Sequence, residues 1–287
     1  MTHTQFIAEV SSNHNQDLNR CRRFIEVAAE IGCTAVKFQL FKIDRLFAPE
    51  ALKDNETFSK RKEWELPLEF IPVLSQECHQ RGIKFACTPF YLEAVAELKP
   101  RVDFLKIASY EIFRFDLIKL CAETGLPVVL STGMATLAEV DAAVKVLKST
   151  GAKDFALLHC VSSYPAAAEN CNLSAIQTLR EKFQCPVGWS DHSVCEEVIY
   201  RAVYKWGAQL IEFHLDLDGK GEEFKAGHCW LPDGIGVVIK KIKRGILADG
   251  KGEKVPVQSE IKERDWRADP SDGLRPLLET RKSLKKQ

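Results

Sequence analysis

The stretch that decides the fold lies in the middle of the chain: PVVLSTGMATLAEVDAAVKVLKSTGAKDFALLHC, residues 127–160. Two short apolar runs, 127–132 and 155–160, are typical of buried strands. Between them, apolar residues recur every three or four positions over 137–148, which is the spacing of an amphipathic helix. Gly151 follows that helix, where a left-handed residue lets the chain re-enter a sheet. Strands this apolar, joined by a helix, indicate a parallel βαβ unit covered on both faces.

The same alternation extends over most of the chain. Further strand candidates lie at 5–10, 34–39, 83–88, 103–108, 186–190 and 208–214. Helical periodicity separates them, for example over 18–31, 68–81, 90–98, 117–123 and 196–206. Eight βα units in a chain of 287 residues predict a closed (β/α)₈ TIM barrel. A doubly wound open sheet is the alternative, but no G-x-G-x-x-G follows the first strand.

The alternation stops at about residue 250, beyond which the sequence is polar and rich in turn-forming residues. We therefore expect a TIM-barrel domain over 1–250 and a short irregular C-terminal tail over 251–287. The N-terminus has no secretory pattern, and no segment has the length of apolar sequence that a membrane span needs. Ten cysteines occur without any C-x-x-C spacing, which favours reduced thiols and a cytoplasmic location.

The balance of charged residues argues against some classes of binding partner. Lys+Arg and Asp+Glu balance at 40 each, so no basic field favours nucleic acid or an anionic membrane. Function is therefore sought at the carboxyl ends of the barrel strands, where active sites of this fold lie. Those ends are unusually polar, with Glu9, Lys37, Gln39, Thr88, Lys106, Ser109, Glu111, Ser131, Ser162, Tyr164, Ser190, His192, Glu212 and His214.

Each of these side chains also has a purely structural explanation. A buried histidine is often a hydrogen-bonded core residue, and a strand lysine can form an ion pair with Glu9 or Glu212. Their convergence on one barrel mouth favours function, because buried ionisable groups are costly unless they are paired or used.

Two kinds of chemistry follow from the residue types. Lys37 and Lys106, with nearby hydroxyl groups, form a receptor for a small, multiply charged anion such as a phosphate-carboxylate. His192 and His214 end adjacent strands, which lie about 4.8 Å apart in a sheet. Two imidazoles at that spacing can share one divalent ion, and Mn²⁺, Zn²⁺ and Fe²⁺ all suit them.

The series of motifs resembles the sialic acid synthase family. AEVSSNHNQ, AVKFQLFK, TPF, LKIASYEI, STGMAT, LLHCVSSYP, WSDH and EFHLD follow one another in that family's order over residues 5–250. The resemblance implies an enzyme that condenses phosphoenolpyruvate with an aldose similar to N-acetylmannosamine. Its product would be a 2-keto-3-deoxy sugar acid of the sialic acid type, with release of phosphate.

The resemblance also implies roles for individual residues. His192 and His214 would bind the metal, with Mn²⁺ expected and Mg²⁺, Co²⁺ or Zn²⁺ as alternatives, and Glu9 would act beside them in catalysis. The implied phosphoenolpyruvate ligands are Lys37, Thr88, Lys106, Ser109, Ser162 and Ser190. The implied sugar-side residues are Gln39, Glu111 and Tyr164.

The sequence departs from the family pattern in four places. The first loop has Asn13-His14-Asn15-Gln16 in place of N-H-N-G, and the sixth has Tyr164-Pro165-Ala166-Ala167 in place of a Y-P-T-P-like stretch. Where many members carry G-P-D-H after the eighth strand, this chain has Ala226-Gly227-His228, so the acidic residue is missing. The resemblance covers the barrel alone, and we expect no C-terminal antifreeze-like domain. Either a separate protein then caps the site or the acceptor is a different aldose. Family members are commonly homodimers, which is a further expectation here.

Two alternatives stay open at this point. One is another barrel enzyme, either a metal-dependent hydrolase or an aldolase that forms a Schiff base through Lys37 or Lys106. The other is a non-catalytic barrel that requires a partner domain. On the favoured interpretation the partners are phosphoenolpyruvate and an aldose, with no nucleic acid and no membrane.

Overall fold

The computed structural model describes residues 4–53, 58, 60–152 and 154–284. Its centre is a closed barrel of eight parallel strands, in which each strand pairs with the next and β1 pairs with β8. The strands are β1 Gln5–Glu9, β2 Ala35–Leu40, β3 Lys84–Pro89, β4 Phe104–Ile107, β5 Val128–Ser131, β6 Phe155–Cys160, β7 Val187–Asp191 and β8 Leu210–Leu215. The predicted (β/α)₈ TIM barrel is confirmed, and a short ninth strand, β9 Cys229–Trp230, adds to β8.

Helices connect the strands. They are α1 Leu18–Glu30, α2 Ile43–Leu46, α3 Pro49–Lys53, α4 Phe70–Gln80, α5 Leu92–Leu98, α6 Phe115–Glu123, α7 Leu137–Ser149, α8 Ala175–Phe183, α9 Glu196–Tyr200, α10 Glu222–Lys225, α11 Pro232–Ala248 and α12 Leu278–Leu284. Short 3₁₀ segments lie at Arg61–Trp64, Ser109–Glu111, Ala168–Asn170, Gln258–Glu260 and Lys262–Trp266. The helix expected over 196–206 is α9 followed by a π-helical turn, Arg201–Lys205.

Side chains fill the barrel interior. One buried cluster comprises Ile7, Ala35, Ala86, Phe104, Val129, Ala156, Leu158 and Leu210. The cluster combines small and large side chains, which together fill the closed eight-stranded interior. Gly188 lets β7 approach β8, because a Cβ at this position would lie 2.2 Å from the carbonyl oxygen of Leu210.

The described chain divides into two compact units, one up to Arg244 and one from Gly245 onward. The second unit contains the last two 3₁₀ segments and α12, and the Asp269 carboxylate accepts hydrogen bonds from the Ser271 hydroxyl and the Leu278 amide. All ten cysteines are free thiols. Among the described residues, no helix combines the length and the apolar character that crossing a bilayer requires.

Candidate functional site

A cavity of about 530 Å³ opens at the carboxyl ends of the strands. Most of the residues that the sequence placed at this mouth line it, namely Glu9, Lys37, Gln39, Thr88, Lys106, Ser109, Ser131, Tyr164, Ser190, His192, Glu212 and His214. The parallel barrel explains this convergence, since residues at the ends of eight different strands are brought to one face.

Glu111 and Ser162 are not among the cavity-lining residues. The Glu111 carboxylate is buried and forms an ion pair with Arg114, with 3.1 Å between Oε2 and Nη1. The Ser162 hydroxyl is buried beside Gly133, whose added Cβ would lie 2.4 Å from it. Their roles toward the sugar and phosphoenolpyruvate stay predictions.

The floor of the cavity is a network of buried charges. Strand register places Glu9 opposite Lys37, and their side chains form an ion pair. Lys106 Nζ lies 3.5 Å from Glu212 Oε1, which also accepts a 3.2 Å hydrogen bond from the Ser190 hydroxyl. Both lysines are therefore paired cations, as the structural explanation expected, and both also line the cavity.

Burial sets the protonation of this floor. Burial lowers the pKa of Lys37 to about 8, although Glu212 acts in the opposite direction. Burial opposes ionisation of Glu212, but Lys106 and Lys37 outweigh it and the pKa of that carboxyl lies below its usual range. The Lys37 ammonium also donates a 3.2 Å hydrogen bond to Thr88 Oγ1. The floor thus presents ammonium and hydroxyl donors that are held in place before any ligand binds.

The two histidines of the sequence analysis lie side by side at the rim of this floor. The ring centroids of His192 and His214 are 5.5 Å apart. His192 Nδ1 lies 2.7 Å from the Val161 carbonyl oxygen, and His214 Nδ1 lies 2.7 Å from Glu223 Oε2. Both partners are acceptors, so each Nδ1 is the protonated nitrogen. Burial, with repulsion from His214, lowers the pKa of His192 to about 3, so the neutral ring keeps a lone pair on Nε2.

Glu223 is a site residue that the sequence analysis missed. It lies on α10, in the connection after β8 where the sequence suggested that an acidic residue was lost. Its Oε1 accepts hydrogen bonds from the Ser11 and Ser12 hydroxyls at 2.5 and 3.0 Å, while Oε2 contacts His214. The sequence shows Glu223 within GEEF, residues 221–224, five positions before His228. Its place in the site depends on how the connection after β8 folds back toward the barrel mouth.

The charge of Glu223 is fixed by its neighbours. Burial opposes ionisation, but the attraction of His214 and hydrogen bonds from His214, His228 and Ser11 hold the pKa of this carboxyl well below its usual range. The site therefore contains a third carboxylate beside Glu9 and Glu212, against the two ammonium groups of the floor. A buried carboxylate in contact with an imidazole is a group that a bound cation would stabilise.

His228 adds a third imidazole. Its ring centroid lies 5.2 Å from that of His214, and Nε2 is 3.6 Å from Glu223 Oε2. Ligand atoms of His214, Glu223, His228 and Cys229 all lie within 4.8 Å of one another. Burial raises the pKa of the Cys229 thiol far above its usual range, which leaves it protonated and a poor ligand. Within the described part of the chain, the Nε2 atoms of His192 and His214 have no hydrogen-bond partner. Since Glu223 contacts His214 Nδ1, this fits the common arrangement in which a carboxylate orients a metal-binding histidine.

A comparison with models of protein families finds a match over most of this chain. The model of the NeuB family matches residues 24–254.

The chain belongs to the NeuB family.

Related proteins extend this result. The NeuB-family chain is 35% identical over 277 residues to the N,N'-diacetyllegionaminic acid synthase of Campylobacter jejuni, which covers 91% of this chain and 82% of that protein. It is 30% identical over 260 residues to the pseudaminic acid synthase of Helicobacter pylori, covering 87% and 76% of the two chains. Among solved structures, the N-acetylneuraminic acid synthetase of Leptospira borgpetersenii superposes with a TM-score of 0.81 at 33% identity, over 99% of this chain and 93% of that one. Resemblance to the sialic acid synthase family is thereby confirmed.

Proposed function

We propose that this chain is a sugar-acid synthase that condenses phosphoenolpyruvate with an open-chain N-acylated aldose and releases phosphate. The observation that supports it best is the juxtaposition, in one cavity, of two ammonium groups with hydroxyl donors and a pair of histidines with free Nε2 atoms. Membership of a family whose named members are synthases of this kind supports the reaction class.

The anion receptor is assigned to the floor. Lys37 and Lys106 bind the phosphate and carboxylate of phosphoenolpyruvate, helped by hydroxyl donors of Thr88, Ser109 and Ser190. Preorganised cations of this kind stabilise charge as it develops in a transition state. In the free protein the carboxylates of Glu9 and Glu212 compensate the two lysines, so the floor is stable without a ligand.

The residues fit a divalent metal, because the His192 and His214 rings lie side by side with Nδ1 engaged, and the buried Glu223 carboxylate contacts His214. We assign His192 and His214 as its protein ligands and expect Mn²⁺, with Mg²⁺, Co²⁺ or Zn²⁺ as alternatives. When bound, such an ion supplies Lewis acidity toward the aldehyde oxygen of the sugar. Glu223 orients His214 through Nδ1, which keeps Nε2 directed away from the carboxylate.

The bond changes then follow the arrangement of the cavity. C3 of phosphoenolpyruvate attacks the aldehyde carbon, and the aldehyde oxygen becomes the new hydroxyl. Water adds to the electron-poor C2, and Glu9 accepts one of its protons as general base and returns it to the former aldehyde oxygen, which completes the new hydroxyl. The second proton of the water leaves the C2 hydroxyl with the phosphate. Phosphate leaves with cleavage of the bond between C2 and the bridging oxygen, which gives the 2-keto acid. Gln39 and Tyr164, at the cavity wall, contact the sugar.

The deciding experiment is a phosphate-release assay. Purified protein with Mn²⁺ and phosphoenolpyruvate is given a panel of aldoses that includes N-acetylmannosamine, with omission of the sugar as the control. Release that requires both a sugar and the metal supports the proposal, and mass spectrometry of the product identifies the acceptor. Release without a sugar, or none with any sugar, contradicts it.

The lowered pKa of Lys37 is the one observation that favours the Schiff-base alternative. We expect no covalent adduct after borohydride treatment in the presence of substrate, because Lys37 is engaged with Glu9 and Thr88. A stable adduct on Lys37 would support the aldolase instead. A cytoplasmic location, a homodimer and a separate capping protein stay predictions.

Glu223→Gln is expected to lower Mn²⁺ affinity about 10- to 100-fold, the usual effect of removing a carboxylate that orients a metal-binding histidine. The amide keeps the shape of the side chain but cannot hold the same charge against His214. Calorimetric titration with Mn²⁺ measures the change. The neighbouring Glu222→Gln is a matched control, because Glu222 is exposed and pairs with Lys225. Equal affinities in the two variants would remove Glu223 from the metal site.

A further inference from the structure

Ser11 lies in the β1–α1 connection in a backbone conformation that serine rarely adopts. Its φ is +50°, in the left-handed region, and the residue is buried. A side chain in this region is strained, and such strain persists where the surrounding contacts hold the residue in place. Glycine would occupy the same conformation without that cost. The chain carries a serine where its backbone disfavours one, which indicates a use for the hydroxyl group.

The single hydrogen of the Ser11 hydroxyl is committed to a carboxylate. Ser11 Oγ donates a 2.5 Å hydrogen bond to Glu223 Oε1 and accepts a 3.3 Å hydrogen bond from Gln39 Nε2. The incoming bond uses a lone pair of the oxygen, so it directs the hydrogen toward Glu223. Hydrogen bonds to ionised acceptors are stronger than those between neutral groups. Ser11 thus holds one carboxylate oxygen of Glu223 while His214 contacts the other.

The backbone of the same residue engages a second carboxylate. The Ser11 N–H donates a 2.7 Å hydrogen bond to Glu9 Oε1. Glu9 is the proposed general base, and Glu223 is the carboxylate that orients His214. One residue therefore donates to both carboxylates, to one through its amide and to the other through its hydroxyl. The left-handed backbone is the conformation in which both bonds form.

The connection that carries Glu223 is fixed at its start. Arg20 Nη2 lies 2.9 Å from Asp216 Oδ1, and Arg20 Nε donates to the Asn13 carbonyl oxygen at 2.6 Å. The other oxygen of Asp216 accepts a 3.1 Å hydrogen bond from the Gly221 amide. The backbone that leads to Glu223 is therefore tied to the β1–α1 connection, and the remaining freedom is that of the carboxylate itself.

Ser12 is a weaker second donor to this carboxylate. Its hydroxyl donates to the same Glu223 oxygen at 3.0 Å. The Ser12 bond compensates part of the charge when the Ser11 hydroxyl is absent. Loss of that hydroxyl is therefore expected to loosen the Glu223 carboxylate rather than to expel it from the site.

We propose that Ser11 is a positioning residue that fixes two groups of the site relative to each other. Its hydroxyl holds Glu223 against His214, and its amide holds Glu9. This rests on the proposed function and deepens it, since it accounts for how groups from two distant parts of the chain keep a set separation. Ser11 takes part in no bond change. Removing the hydroxyl therefore affects metal binding and turnover, whereas phosphoenolpyruvate binding by the floor lysines changes little.

Two substitutions separate the hydroxyl from the backbone strain. Ser11→Ala and Ser11→Gly both remove the hydroxyl and keep the N–H that donates to Glu9, but only glycine relieves the left-handed backbone. Both variants are expected to bind Mn²⁺ about 10-fold more weakly and to lose a similar factor in kcat, with little change in the KM for phosphoenolpyruvate. Thermal unfolding is expected to show Ser11→Gly as the more stable variant. Ser75→Ala is the control, since Ser75 is also buried but donates to the Arg101 carbonyl oxygen and does not line the main cavity.

A double variant tests whether Ser11 acts through Glu223. Ser11→Gly with Glu223→Gln is expected to bind Mn²⁺ as Glu223→Gln alone does, within about twofold. Proton NMR of the metal-free protein gives a second readout. The His214 Nδ1 proton, assigned by its loss in His214→Ala, is expected to exchange faster with water in Ser11→Gly. Multiplicative losses of Mn²⁺ affinity in the double variant, or unchanged affinity in Ser11→Gly, would overturn the proposal.

Failure of the proposed function gives a different result. Ser11-dependent Mn²⁺ binding in a protein that releases no phosphate with any sugar would retain the positioning role and reject the synthase. Sugar-dependent phosphate release with the same kcat in the wild type and in Ser11→Gly would do the reverse. A wild-type protein that binds no divalent ion would overturn both the positioning role and the metal assignment.

Discussion

Replacing both rim histidines, His192→Ala with His214→Ala, is expected to lower sugar-dependent phosphate release by about 10³-fold or more and to remove high-affinity Mn²⁺ binding. The two Nε2 atoms are the free lone pairs that the structure fixes through Nδ1 bonds to Val161 and Glu223. A Lewis acid at the aldehyde lowers the activation barrier by several kcal/mol, which corresponds to a rate effect of this size.

Calorimetry with Mn²⁺ and steady-state phosphate release measure the two effects in the same preparations. His159→Ala is a matched control, because His159 also lies near the end of a strand, but its Nε2 contacts the Cys171 carbonyl oxygen and it does not line the main cavity. Thermal unfolding of the variants shows whether the barrel remains intact. Full activity of the double variant would exclude this pair as the metal ligands.

Lys106→Met is expected to have the second large effect, on both stability and phosphoenolpyruvate binding. Lys106 and Glu212 are buried and lie 3.5 Å apart, so removing the ammonium leaves a buried carboxylate with less compensation. Breaking such a pair typically costs about 3–5 kcal/mol of unfolding free energy. Loss of one cation from the anion receptor is expected to weaken phosphoenolpyruvate binding by about 100-fold, from a charge-assisted hydrogen bond.

A double variant separates the two effects. Lys106→Met with Glu212→Gln removes both charges, and we expect it to recover most of the lost stability but none of the phosphoenolpyruvate affinity. Chemical denaturation measures the first quantity and calorimetric titration the second. Recovery of phosphoenolpyruvate binding in the double variant would show that Lys106 acts only as the partner of Glu212.

The ion pairs of the cavity floor affect how an anionic ligand would bind there. Lys37 and Lys106 are compensated by Glu9 and Glu212 in the structure. Under the proposed function, phosphoenolpyruvate would compete with these carboxylates for the same ammonium groups. A receptor built in this way avoids the cost of unpaired buried cations. Both explanations given for the lysines from the sequence are therefore compatible in one structure.

Much of the barrel could be predicted because its signals are local. The strands at 127–132 and 155–160 were expected from apolar composition, and the structure has them at Val128–Ser131 and Phe155–Cys160. Their parallel closure brings residues at strand ends to one mouth, so His192, His214 and Lys106 could be grouped without coordinates.

The connections between the elements were decided only by the tertiary structure. Glu223 is 212 positions from Ser11 in the sequence, yet it accepts that hydroxyl's hydrogen bond and contacts His214. Arg61 is held among aromatic rings on a segment without regular periodicity, and Glu111 lies outside the cavity-lining residues although its strand ends at the mouth. Strand ends follow from local periodicity, whereas a loop side chain is positioned by long-range contacts that no short stretch of sequence encodes.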